Sequence, residues 1–353
     1  MKKGLLILLC LPMIGFGQIF YFDEGDSATF YNLDILNNQF NYISTFPSSD
    51  GGYGSGSTFD PINNIFYITN GFGGMGGDDS TIIIGVDITN GSFISQSIVP
   101  HSIQTFEVWD NMCYYFEEQD SATFYNLDIL NNQFNYISTF PSSDGDYGSE
   151  STYDPINNIF YITNGFGGMG GDDSTIIIGV DVTDGSFISQ SIVPHSIQTF
   201  EVWDNMCYYF EEQDSATFYN LDILNNQFNY ISTFPSSDGD YGSESTFDPI
   251  NNIFYITNPF GNGGGGDDST IVIGVDVTDG SFISQSIVPH TIQTFEFQFS
   301  LPTSINNTVY NKDRELLMLL NLLGQQTTEI KNTPLFYIYD DGTVEKRIVV
   351  EWS

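Results

Sequence analysis

The residues of this chain that could do chemistry come in threes. Glu107, Glu201 and Glu296 occupy equivalent places, as do His101, His195 and His290; Trp109 and Trp203 each follow a glutamate by two residues. Three imidazoles can hold zinc only if they converge, because metal–nitrogen bonds are about 2 Å long. Otherwise each His caps a turn or touches a neighbouring element. All three follow Val-Pro just ahead of an aromatic strand, which predicts that they surround a common axis. Carboxylates beside indoles would make a polar, aromatic-walled opening for a sugar-like ligand, with packing as the alternative role for the Trp side chains. A second set reads Asp144-x-Asp146-x-Gly148-x-Glu150 and returns as Asp238, Asp240 and Glu244. Alternating carboxylates around a glycine bend are the spacing of oxygen ligands on calcium, against the simpler reading of a solvated turn. In the first copy Gly52 and Gly56 replace two of the carboxylates, so a site there would be weakened or lost. Gly71-x-Gly73-x-x-Gly76 matches a dinucleotide fingerprint by letters alone. It lacks the strand-loop-helix setting that meets a pyrophosphate, and Pro259 replaces its first glycine in the third copy.

The threefold recurrence belongs to the whole chain. Residues 27–120 recur as 121–214 with five changes (Gly52/Asp146, Gly56/Glu150, Phe59/Tyr153, Ile88/Val182 and Asn90/Asp184) and again, shortened, to Phe297. A repeat this exact means an array of one structural unit. Each 94-residue copy contains two groups of four short runs rich in Tyr, Phe, Ile, Val and Thr, such as Ile159-Phe-Tyr-Ile-Thr and Thr175-Ile-Ile-Ile-Gly-Val-Asp-Val. Turn formers such as Asp154-Pro-Ile-Asn-Asn, Asp110-Asn111 and Asp184-Gly185 separate them. No helical period runs between Gln18 and Asn311. Four antiparallel strands in about 47 residues is the size of a β-propeller blade. The halves also resemble propeller blades in their third strands, Tyr31-Asn-Leu-Asp34 and Gly85-Val-Asp87. Ile19–Glu24 aligns with a second strand and Ile292–Phe297 with a first, which predicts six blades closed by both ends of the array. Closure removes exposed edges that an open β-solenoid, the rival reading, would leave. Near-identical blades can also exchange between chains and make a swapped dimer.

Charge narrows the function. Of 45 acidic residues seven lie in the tail and 38 in residues 18–300, where there is no Lys or Arg. This excludes nucleic-acid binding and attraction to anionic membranes. It also removes the usual clamp for phosphate or sugar carboxylates. Met1–Gly17, with Lys2, Lys3 and the apolar Leu5–Ile14, reads as a secretory signal, too short to span a membrane. Cys113 and Cys207, in different blades, read as buried apolar residues.

The last residues differ in composition, and Asp341-Gly342 sits between two alternating runs as in a hairpin. The Leu-Leu-Gly-Gln turn and the ending Leu335-Phe-Tyr-Ile-Tyr-Asp-Asp-Gly-Thr-Val-Glu-Lys-Arg-Ile-Val-Val-Glu351 resemble the C-terminal sorting domain of type IX secretion cargo in Bacteroidetes. The resemblance covers residues from about Ser304 onward. It implies a small β-sandwich-like tail domain over 312–353, a linker over 301–311, recognition by the type IX machinery, and release or attachment at the outer surface after passage through the periplasm. Near-identical blades leave few positions free to specialise as an active site, whereas repetition suits avidity. The expectation is therefore a secreted or surface, non-enzymatic binding propeller for an extracellular glycan or protein, with a role on the face bearing the acidic loops. The alternative is a calcium-dependent hydrolase or lyase acting on a polysaccharide or lactone in the channel.

Overall fold

The computed structural model describes residues 18–24, 27–35, 37–47, 53–72, 80–101, 103, 105–118, 121–141, 147–166, 174–212, 215–235, 244–260, 269–290, 292, 294–298, 316–320, 327–328, 334–339 and 344–348. The signal, the linker and the glycine-rich segments 73–79, 167–173 and 261–268 lie outside them. The chain divides into two compact units, Met1–Ser300 and Leu301–Ser353.

The first unit is a six-bladed β-propeller. Blade one holds β1 (Ile19–Glu24), β2 (Ser27–Asp34) and β3 (Gln39–Pro47). Blade two holds β4 (Tyr53–Asp60), β5 (Ile65–Phe72), β6 (Ser80–Asp87) and β7 (Phe93–Val99). Blade three holds β8 (Thr105–Trp109), β9 (Met112–Glu118), β10 (Ser121–Asp128) and β11 (Gln133–Pro141). Blade four holds β12 (Tyr147–Asp154), β13 (Ile159–Phe166), β14 (Ser174–Asp181) and β15 (Phe187–Val193). Blade five holds β16 (Ile197–Trp203), β17 (Met206–Glu212), β18 (Ser215–Asp222) and β19 (Gln227–Pro235). Blade six holds β20 (Ser245–Asp248), β21 (Ile253–Phe260), β22 (Ser269–Asp276) and β23 (Phe282–Val288). The last strand, β24 (Thr294–Phe297), completes blade one in the order β24-β1-β2-β3, pairing Ile19 with Phe297 and Phe22 with Thr294. The Gln298 amide donates to the Gln18 carbonyl at 2.8 Å, one step past the paired residues. The ring is thus closed by the two ends of the array.

Local chemistry accounts for each blade. Asp110-Asn111 and Asp204-Asn205 have both residues at positive φ, as a two-residue hairpin between twisted strands requires. In the Asp-Pro-Ile-Asn turns, fully buried Asp60 accepts from the Ile62 amide at 3.0 Å and the Asn63 amide group at 2.8 Å. It also accepts from the Asn111 amide at 2.9 Å, which ties blade two to blade three. Asp154 repeats all three contacts one copy later. Third strands such as β6 and β14 are buried at six successive positions, because both faces meet a neighbouring blade; outer strands such as β7 are exposed over most of their length and bury only Ser97 and Val99.

The core lies between blades rather than within them. Phe20, Phe22 and Phe30 of blade one pack on Phe66, Ile68 and Ile82 of blade two, and Phe116 and Phe124 on Phe160 and Ile162 between blades three and four. The alternate interfaces use Tyr, Val and Cys: Cys113 and Tyr115 meet Tyr67 and Ile83, while Cys207 and Tyr209 meet Tyr161 and Ile177. Alternation of a phenylalanine interface with a tyrosine interface explains why the repeat spans two blades. Both cysteines are free and buried, as expected of apolar fillers.

The second unit contains β25 (Leu316–Leu320), β26 (Pro334–Tyr339) and β27 (Val344–Ile348), an antiparallel sheet in that order. The hairpin expected around Asp341-Gly342 is present, with Ile338 opposite Val344. The described residues of this unit form one sheet over Leu335, Tyr337 and Tyr339; the rest of the expected β-sandwich-like tail, 312–353, lies outside the described residues.

Candidate functional site

The inner strands β24, β4, β8, β12, β16 and β20 follow one another around the propeller axis. All six line one axial cavity, which contains Glu107, Glu201 and Glu296 with Thr58, Thr152 and Thr246. Each glutamate bridges two neighbouring blades. Glu107 accepts from Thr58 Oγ1 at 2.8 Å and Ser151 Oγ at 2.9 Å; Glu201 accepts from Thr152 at 3.0 Å and Ser245 at 3.2 Å; Glu296 accepts from Ser57 at 2.9 Å and Thr246 at 3.4 Å. Thr105, Thr199 and Thr294 donate in turn to Ser151, Ser245 and Ser57, so the hydroxyls and carboxyls form a closed polar girdle. The glutamates were legible in the sequence. Their Ser-Thr partners were not singled out, although those pairs recur with the repeat ahead of each buried Asp.

Protein surrounds these carboxyls and the propeller offers no Lys or Arg to balance them. Burial, then the charge of Glu296, holds Glu107 well above the usual carboxylate range. Glu201 is raised by burial, then by Glu296 and Glu107. Burial raises Glu296 to about 8, against the lowering effect of its Ser57 and Thr246 hydrogen bonds. Each of the three carboxyls thus favours its protonated form, and each shared proton removes a repulsion.

Trp109 and Trp203 line the same cavity, half-buried, and Trp109 also packs on Tyr153 of the next blade at 5.7 Å. They serve as cavity wall and inter-blade contact together. In the third copy Gln298 stands in place of the tryptophan.

The histidines do not surround the axis as expected. None lines a channel cavity; each lies against a blade face. His101 Nδ1 is 2.9 Å from Tyr115 Oη, and its ring stacks on Tyr125 at 4.3 Å. His195 repeats this with Tyr209 at 2.9 Å and Tyr219 at 4.2 Å, and burial lowers its pKa against the pull of Glu211. His290 instead turns Nδ1 to Asp23 at 3.2 Å. The prolines before them end the outer strands, so each imidazole is left beside the next blade's tyrosines rather than carried inward. The three imidazoles thus contact tyrosines of three different blades rather than one another.

Of the calcium-spaced carboxylates, Asp144, Asp146, Asp238 and Asp240 lie outside the described residues. Glu150 and Glu244 are described. Glu150 belongs to β12, an inner strand, and both glutamates line a second axial cavity together with Gly56 and Glu107. Burial raises Glu150 to about 8; Glu244 is also raised, by burial, then by Glu150 and Glu296. No group of three or more His, Cys, Asp or Glu side chains among the described residues is arranged to hold a metal ion.

No family model and no curated protein matches this chain. Solved structures do. The chain is similar to TolB from Acinetobacter baumannii at 13% identity and a TM-score of 0.52, covering 80% of this chain but only 66% of that one. It is similar to a chain of a nidogen/laminin complex at 10% identity and a TM-score of 0.55, covering 80% and 99%. At such identities the likeness is one of fold, and the fold is that of an all-β, six-bladed propeller.

Proposed function

We propose that this protein is a non-enzymatic binding propeller of the cell exterior, exported by the type IX route through its C-terminal tail, that engages an extracellular protein or glycan. The observation that carries this reading is on the rim. The outermost strands β7, β15 and β23 present Phe93, Ile94 and Ile98, then Phe187, Ile188 and Ile192, then Phe282, Ile283 and Ile287, all exposed. Between them β3, β11 and β19 present Tyr42, Tyr136 and Tyr230, each more than 60% exposed. Three copies of one apolar and aromatic patch on a rigid ring are suited to contacts that are weak singly and strong together. The acidity of the ring keeps such edges from pairing with one another.

The test compares Ile98→Asp, Ile192→Asp, Ile287→Asp and the triple variant on a glycan array and on immobilised extracellular matrix proteins. Each single variant should retain most of the binding and the triple variant should lose it. A glycosidase and lactonase screen with and without calcium addresses the hydrolase reading, which the raised carboxyls of the girdle favour. Turnover lost on Glu107→Gln or Glu201→Gln would overturn the binding reading.

A further inference from the structure

The second axial cavity breaks the threefold symmetry. It opens where the inner strands begin, and at the position shared by Gly56, Glu150 and Glu244 two copies carry a carboxyl and one carries only hydrogen. A Cβ on Gly56 would meet Phe106 Cε1 at 3.4 Å and Thr69 Oγ1 at 3.9 Å, so a side chain fits there by ordinary contact. The cavity, about 70 Å³, borders Gly56, where the other two copies carry a glutamate.

Its chemistry is lopsided. Glu150 and Glu244 are half-buried and line the cavity, and no hydroxyl among the described residues meets their carboxyl groups as it does those of the girdle. The Glu107, Glu201 and Glu296 carboxyls, by contrast, each have two hydroxyl partners. Carboxyls crowded into one cavity repel one another unless paired, and the propeller contains no Lys or Arg to pair them. Any counter-charge must come from outside. The acidic side chains are not arranged to ligate a metal. An ammonium group has three N–H donors that span carboxyls on different walls. Phe106 and Ile103 supply an apolar wall for a methylene stem.

We infer that the socket beside Gly56 binds a small alkylammonium ion, with its head on Glu150, Glu244 and Glu107 and its stem on Phe106 and Ile103. This does not depend on the rim-binding reading. The ion takes the place of one proton held between Glu150 and Glu244, which have each other, Glu107 and Glu296 as charged neighbours. Binding therefore releases a proton.

The test is calorimetric titration of the full chain with n-butylammonium chloride at low salt, in two buffers of different ionisation enthalpy. Expected are one saturable site per chain, proton release, and affinity reduced about tenfold or more by Glu150→Gln or Glu244→Gln. The decisive variant is Gly56→Glu, which restores the residue of the other two copies. It adds negative charge yet should abolish binding by filling the socket; Gly56→Gln should do the same without the charge and serves if the first fails to fold. Tighter or unchanged binding in the filled variants would mean diffuse attraction to an acidic protein and would overturn the site. So would absence of saturable binding, equal binding of 1-butanol, or displacement of n-butylammonium by calcium from the same socket.

Discussion

Replacing Glu296 by Gln should stabilise this protein at alkaline pH and leave it unchanged in acid. The carboxyl of Glu296 titrates near 4.5 when exposed and near 8 in the channel. The folded state holds the proton more tightly, so unfolding releases it between these values and stability falls as pH rises through that window. The contribution is intact below about pH 4.5 and fully lost above about pH 8. At about 1.4 kcal/mol per decade the ceiling is about 5 kcal/mol. Water in the channel and coupling to Glu107 and Glu201 reduce this, and about 2 kcal/mol is the expected difference. Glutamine keeps the shape and can still meet the Ser57 and Thr246 hydroxyls, which accept as readily as they donate. The assay is urea unfolding of wild type and Glu296→Gln at intervals from pH 5 to 9. The comparison matters, because general repulsion among the acidic residues also weakens the fold as pH rises and is common to both proteins. The stability difference should be smallest at pH 5, grow to about pH 8 and level off by pH 9. A difference that is constant with pH, or a variant less stable at pH 9, would refute the assignment of a protonated girdle.

Three further outcomes follow from the packing. Phe22→Ala removes a fully buried ring from the sheet that closes the circle and should cost about 3–5 kcal/mol in chemical unfolding, and removal of Ile19–Glu24 should abolish the cooperative transition. Gly185 has φ +70° and a Cβ there would lie 2.8 Å from the Ser138 Cβ of the neighbouring blade. Gly185→Ala should therefore lower stability by about 2–4 kcal/mol, read as a fall in the thermal midpoint, whereas an unchanged midpoint would mean that the blades are not seated as described.

The 94-residue repeat, the Tyr- and Ile-rich runs and the Asp-Asn and Asp-Gly turns determined strands, blades and their number from the sequence alone, because strand period and turn chemistry act over a few neighbouring residues. The matched ends, Ile19–Glu24 and Ile292–Phe297, determined the closure too, since the only partner for an unpaired first strand is an unpaired second one. Repeat equivalence likewise marked Glu107, Glu201 and Glu296 as a set. Equivalence says nothing about direction, and here tertiary structure decided. The same threefold rule that brings the glutamates onto the axis leaves His101, His195 and His290 on blade faces beside tyrosines. Whether a repeated side chain points inward depends on the radius and twist at which its strand sits, which six blades set together. The Gly56 difference was visible as a lost carboxylate; only the closed ring shows that the loss borders a cavity, because the walls come from residues nearly two hundred positions apart.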